Sequence, residues 1–105
     1  MFKSKKFFDF EIAKTAIRKY CSFQERCQSE VKIRLAQMGL TSDVIDNILS
    51  DLILEGYLSE ERYSRAYARG KFNIKKWGRI KIQQSLISKG VTSKCIKIGL
   101  SEIDD

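Results

Sequence analysis

Apolar residues recur along this chain three and four positions apart, in six runs divided by glycine, serine and threonine, with no proline anywhere. That spacing lays the apolar side chains along one face of an α-helix. Phe10, Ala13, Ile17 and Tyr20 share a face in a helix predicted over about residues 9–20. A second, over about 28–38, turns Val31, Leu35 and Met38 inward. A third, over about 42–55, carries the broad stripe Val44, Ile45, Ile48, Leu49, Leu52 and Ile53. Gly56 closes it, Tyr57 and Leu58 bridge onward, and Ser59 caps a fourth helix over about 60–72. A connector at 75–78 leads to a fifth helix over about 79–89 and a sixth over about 93–103. The expected fold is all-α.

The pattern repeats. With a shift of 51 residues, Leu35, Gly39, Thr41, Ser42, Ile45 and Leu49 fall on Leu86, Gly90, Thr92, Ser93, Ile96 and Leu100, Arg18 falls on Arg69, and Val31 on Ile82. Each shared residue has a mechanical role. Glycine suits the left-handed position that closes a helix, and threonine supplies the oxygen that caps the next. The predicted organisation is a basic, aromatic tail at 1–8, a first three-helix repeat at 9–56 and a second at 57–105. A chain of 105 residues accommodates two such small units.

Charge sharpens this picture. The formal net charge is +7, but it is sorted into blocks: from Arg62 to Ser101 there are eleven Lys or Arg and no acid, whereas 41–61 holds six acids and no base. Asp43, Asp46, Asp51 and Glu55 fall on the solvent side of the third helix, and the bases of 62–81 are expected to share one exposed face. Such a field attracts a polyanion or an acidic protein surface.

Catalysis has little to work with. The sequence has no His, no glycine-rich phosphate loop, no nucleophile elbow and no metal-ligand cluster, so no catalytic residue, metal or cofactor is expected. Cys21, Cys27 and Cys95, odd in number and irregularly spaced, read as reduced thiols. No apolar run reaches the ~20 residues of a membrane span, and the first ten residues lack the apolar core of a secretory signal. A cytoplasmic monomer without membrane contact is the expectation.

The segment from Lys71 to Lys81 interleaves bases with Phe72 and Trp77. Bases neutralise phosphates, and an exposed aromatic stacks on an unpaired nucleobase. The candidate nucleic-acid or protein-binding residues are therefore Arg65, Arg69, Lys71, Lys75, Lys76, Trp77, Arg79 and Lys81, with Arg18 and Lys19 as an extension of the same face. The bland alternatives are helix–helix contact for the two rings and a solubilising surface for the bases.

The stretch EGYLSEERYSRAYARGKF at 55–72, followed by Lys76, Trp77, Gly78, Ile82, Leu86, Lys89 and Gly90, resembles the RecX family of bacterial recombination regulators. Ala13, Ala16, Tyr20, Arg26, Glu30, Val31, Leu35 and Gly39 extend the likeness to the first repeat. The resemblance implies tandem three-helix units that bind the RecA recombinase filament on DNA, inhibit its strand exchange and ATPase, and also contact DNA directly. It implies a partner in single-stranded or filament-bound DNA, and a role in homologous recombination, DNA repair and the SOS response. The family usually has three units, and two are present here. Cys27 stands where the family often has Ser before its Glu, which predicts a weaker cap. Two other readings fit the same residues: a stand-alone helix-turn-helix DNA-binding protein acting in transcription, and an adaptor whose oppositely charged faces pair head to tail.

Overall fold

The structure, a computed structural model, describes residues 9–103. Among them the regular elements are six α-helices, and no strand is present. They are α1 (Phe10–Phe23), α2 (Gln28–Gln37), α3 (Ser42–Leu54), α4 (Glu60–Asn73), α5 (Arg79–Ser88) and α6 (Ser93–Leu100). The chain divides into two compact units, residues 1–58 and 59–105. The tail expected at 1–8 lies outside the described residues.

The helix ends follow from the punctuation. Gly39 and Gly90, repeat partners, take φ of 86° and 81°, the left-handed region that costs a side-chain-bearing residue strain. Two residues on, Thr41 and Thr92 accept hydrogen bonds from the backbone N–H of Val44 and Cys95. Ser59 accepts from the N–H of Arg62 to start α4. At α2 both halves of a capping box are present: the Cys27 side chain accepts from the Glu30 N–H, and Glu30 Oε1 accepts from the Cys27 N–H at 3.1 Å.

In unit 1, α2 packs on both α1 and α3 around Ala13, Ile17, Val31, Leu35, Ile48 and Leu52. The inward face of α1 differs from expectation. Cys21 completes the line from Ala13 and Ile17, while Phe10 is 40% exposed and Tyr20 lies at the rim. The guanidinium of Arg26 sits 3.7 Å from the Tyr20 ring centre, and that of Arg34 4.8 Å. A ring with a polar tip is better held there, between cations and core, than inside. Ile53, expected in the stripe of α3, is exposed as well. Leu58 is buried in this core, and the N–H groups of Tyr57 and Leu58 both donate to the Leu52 carbonyl, so this two-residue link folds back onto α3.

Unit 2 is built on the same plan with a different contact. Its most extensive helix pair is α4 with α6. The reason is Gly99, which replaces Ile48 at the repeat-equivalent position: an added Cβ there would lie 2.7 Å from the Ser64 carbonyl oxygen. Tyr63, Ala68, Ile82, Leu86, Val91, Ile96, Leu100 and Ile103 form the buried apolar set. α6 ends at Leu100, earlier than predicted, but the turn that follows still buries Ile103.

Candidate functional site

The seven candidate cations divide into two groups. Arg65, Arg69 and Arg79 are engaged within unit 2. Arg65 Nη1 lies 2.6 Å from Glu102 Oε2, Arg69 Nη1 lies 3.2 Å from Glu102 Oε1, and Arg65 Nη2 also reaches Glu61 at 3.3 Å. Arg79 Nη1 donates to the carbonyl oxygens of Leu100 and Ile103 at 3.2 and 3.3 Å. The Leu100 carbonyl ends α6, where a helix carries partial negative charge, and the Ile103 carbonyl belongs to the turn that follows. Three arginines therefore fasten the end of α6 and this turn to α4 and α5. The electrostatics agree: the hydrogen bonds from Arg65 and then Arg69 hold the Glu102 carboxyl below the usual range, and Glu102 and then Glu61 raise Arg65 further.

The expectation of one exposed ridge of lysines and arginines is thereby corrected. Arg65, Arg69 and Arg79 bond to carboxylates and carbonyls of their own unit, Arg69 while still half exposed, whereas Lys75, Lys76 and Lys81 are exposed. The supposed extension through Arg18 is corrected too. Arg18 forms a two-pronged pair with Glu55, through Nε at 3.1 Å and Nη2 at 3.3 Å, and this hydrogen bonding raises its pKa. Asp51 and Glu55 of the acidic helix are thus partly neutralised from α1, since Lys14 also lies 2.9 Å from Asp51.

Lys71, Lys75, Lys76, Trp77 and Lys81 belong to the corner between α4 and α5. Two backbone features build it. The Ile74 N–H donates to the Gly70 carbonyl at 2.8 Å and the Trp77 N–H to the Lys71 carbonyl at 3.0 Å, closing α4. Lys76 takes φ of 62°, a left-handed step that turns the chain toward α5. The corner places Lys71 Nζ 5.0 Å and Lys81 Nζ 4.5 Å from the centre of the Trp77 ring. Lys71 is also 5.3 Å from the Tyr67 ring, and Lys89 is 5.8 Å from it. The result is an alternating array: Lys89, Tyr67, Lys71, Trp77, Lys81. Tyr67 is fixed by a hydrogen bond between its hydroxyl and Ser85.

Lys75, Lys76 and Lys81 are exposed, as are Ile74 at 78% and Ile80 at 72%. Among the described residues no carboxylate forms an ion pair with Lys71, Lys75, Lys76 or Lys81. α5 begins at this corner with Gly78 as its N-cap and no acid in its first turn, so its positive dipole end adds to the same field. The arrangement can hold phosphate or carboxylate groups against ammonium ions and an extended ligand against two rings.

Two contributors, Tyr67 and Lys89, stand outside the candidate residues expected from the sequence. Tyr67 stands four residues before Lys71 on one helix, a spacing that predicts contact. Lys89 arrives from the far end of α5 and has no local signal. The ion pairs of Glu102 do have one: under the 51-residue shift Lys14 falls on Arg65 and Asp51 on Glu102, and both pairs form across 37 residues.

Two small three-helix units, one with a cationic aromatic corner, define a helical-repeat protein. Residues 59–100 match the family model described as RecX, second three-helix domain. The chain is 31% identical over 100 residues to the regulatory protein RecX of Streptococcus uberis, covering 95% of this chain and 39% of that protein. It is 31% identical over 87 residues to that of Lactococcus lactis, covering 82% and 32%. The crystal structure of RecX from Lactobacillus salivarius superimposes with a TM-score of 0.79 at 25% identity, over 88% of this chain and 60% of that one. Residues 59–100 thus carry the likeness of a RecX second three-helix domain, and the chain is similar to RecX regulatory proteins over 95% of its length. It spans about two-fifths of the length of the curated relatives it matches. Among the described residues no helix is long and apolar enough to cross a membrane, and no cluster of His, Cys, Asp or Glu forms a metal site.

Proposed function

We propose that this chain binds RecA recombinase filaments on DNA and lowers their ATPase and strand-exchange activity. The observation that carries this reading is the array of Lys89, Tyr67, Lys71, Trp77 and Lys81. Lys71, Lys75, Lys76 and Lys81 contact phosphates or acidic recombinase surface, and Trp77 packs against a nucleobase or a side chain. Arg65, Arg69 and Arg79 act by holding α4, α5 and α6 in the arrangement that presents the corner. The protein works as a monomer in the cytoplasm, and it performs no chemistry of its own.

Direct contact with single-stranded DNA through the four lysines gives a log–log salt slope of about −2.8, at ~0.7 per phosphate. The deciding experiment is RecA ATPase on single-stranded DNA with saturating folded protein, then with the Lys71→Ala, Lys75→Ala, Lys76→Ala, Lys81→Ala variant. Inhibition by the parent and its relief in the variant are expected. Unchanged ATPase with the parent overturns the reading. Recovery of RecA from nuclease-treated lysate separates protein contact from DNA contact.

A further inference from the structure

Each unit has a groove between its second and third helices. In unit 1 it measures about 340 Å³, and Ala36, Ile45, Lys32 and Asp46 line it. In unit 2 it measures about 560 Å³, with a floor of Ile87, Val91, Ile96 and Leu100 and a rim that includes Arg79 and Lys97. The two are repeat-equivalent: with the 51-residue shift Ala36 falls on Ile87, Ile45 on Ile96 and Asp46 on Lys97. One substitution widens the apolar floor and the other reverses a charge. Among the described residues no Asp or Glu lines the groove of unit 2.

We infer that the α5–α6 groove is a docking site for an acidic amphipathic helix of a partner protein. Apolar residues of that helix at i, i+3 and i+4 would cover Ile87, Val91, Ile96 and Leu100, and its carboxylates would lie over Lys97 and Arg79. Charge complementarity selects the occupant. The unit 1 groove, with Lys32 and Asp46 together, has no preference of sign, whereas this one repels cationic helices. Arg79 is already held by the carbonyls of Leu100 and Ile103, so its charge is in place before binding. The floor is aliphatic and no ring lines it, which favours a helix over a nucleic acid. Ile87 is 57% exposed and supplies most of the apolar surface a partner would cover, with Val91, Ile96 and Leu100, 5–8% exposed, beneath it. The inference stands apart from the corner built around Trp77, which does not line this groove.

The test uses the full chain and a fluorescein-labelled helical peptide of about four turns, with Leu at i, i+3, i+4 and i+7 and Glu elsewhere. Its counterpart carries Lys in place of Glu. Fluorescence anisotropy is expected to show saturable binding of the acidic peptide and none of the basic one. Lys97→Asp, which installs the residue unit 1 has at this position, weakens binding about tenfold or more; Ile87→Ala weakens it further, and both variants keep the parent's circular dichroism. Amide shifts in NMR cluster over residues 87–100. Equal binding of both peptides, an unchanged affinity in Lys97→Asp, or shifts centred on 71–81 overturns the inference. The ATPase experiment reads the corner lysines, so the two proposals fail separately.

Discussion

Replacing Gly99 by alanine tests how unit 2 is assembled. The new Cβ would stand 2.7 Å from the Ser64 carbonyl oxygen, 2.8 Å from its carbonyl carbon and 2.9 Å from its Cβ. Carbon contacts are comfortable near ~3.5–4.0 Å, and two of these three neighbours are backbone. Relief therefore requires α6 to back away from α4 by several tenths of an ångström, loosening the contacts of Ala68, Ile96, Leu100 and Ile103. Overpacking of this kind costs about 1–3 kcal/mol. Alanine also gains up to ~1 kcal/mol of helix propensity over glycine, which offsets part of the loss. Gly70→Ala supplies the control: this glycine is in α4, and nothing lies within 4 Å of its added Cβ. The propensity gain acts there alone. Gly70→Ala is expected to raise Tm by a few degrees and Gly99→Ala to lower it by about 4–8 °C per kcal/mol of net loss. Thermal unfolding followed through Trp77, the single tryptophan, reports on unit 2 specifically. A Gly99→Ala protein as stable as the parent refutes the close approach of α4 and α6.

Three further outcomes follow from the same geometry. Glu102 has its pKa lowered by Arg65 and Arg69, so its stabilisation is full above the unfolded value of ~4.3 and is lost as pH falls through the folded one. Tm of Glu102→Gln should trail the parent at neutral pH and converge with it in acid; an equal gap at both refutes the pairing. Each single Lys→Ala change at 71, 75, 76 or 81 should make the single-stranded DNA salt slope shallower by ~0.7, and a position that leaves it unchanged contacts no phosphate. Thiol labelling of the native protein should reach Cys95 first, because Cys27 is buried and burial both shields the Cys21 thiol and raises its pKa; prompt labelling of Cys21 would mean that α1 does not pack as described.

Much of the fold is legible because its punctuation is local. Thr41, Thr92, Gly39 and Gly90 act within a few residues of their own position, and the helix boundaries they imply agree with the structure to within about three residues. What is not legible depends on partners far along the chain. Helical spacing puts Tyr20 on the core face of α1, but Arg26 and Arg34 arrive from the following loop and helix to hold it at the rim. A run of bases without acids suggests a free cationic ridge, but Glu102 lies just past that run and meets Arg65 and Arg69 in space. At the candidate site, the sequence places Lys71, Trp77 and Lys81 near one another, and only the fold brings in Lys89. The role of Gly99 depends on the Ser64 backbone, which lies 35 positions away in the chain and beside it in space.

The fastening of α6 by three arginines bears on where this polypeptide can be severed. Similarity to the second RecX domain stops at residue 100, yet Glu102 and the Ile103 carbonyl are gripped beyond it. A fragment trimmed at Leu100 would strand Arg65 and Arg69 without their shared carboxylate and strip Ile103 from beneath the helices. An excised second unit needs those three extra residues to hold its shape.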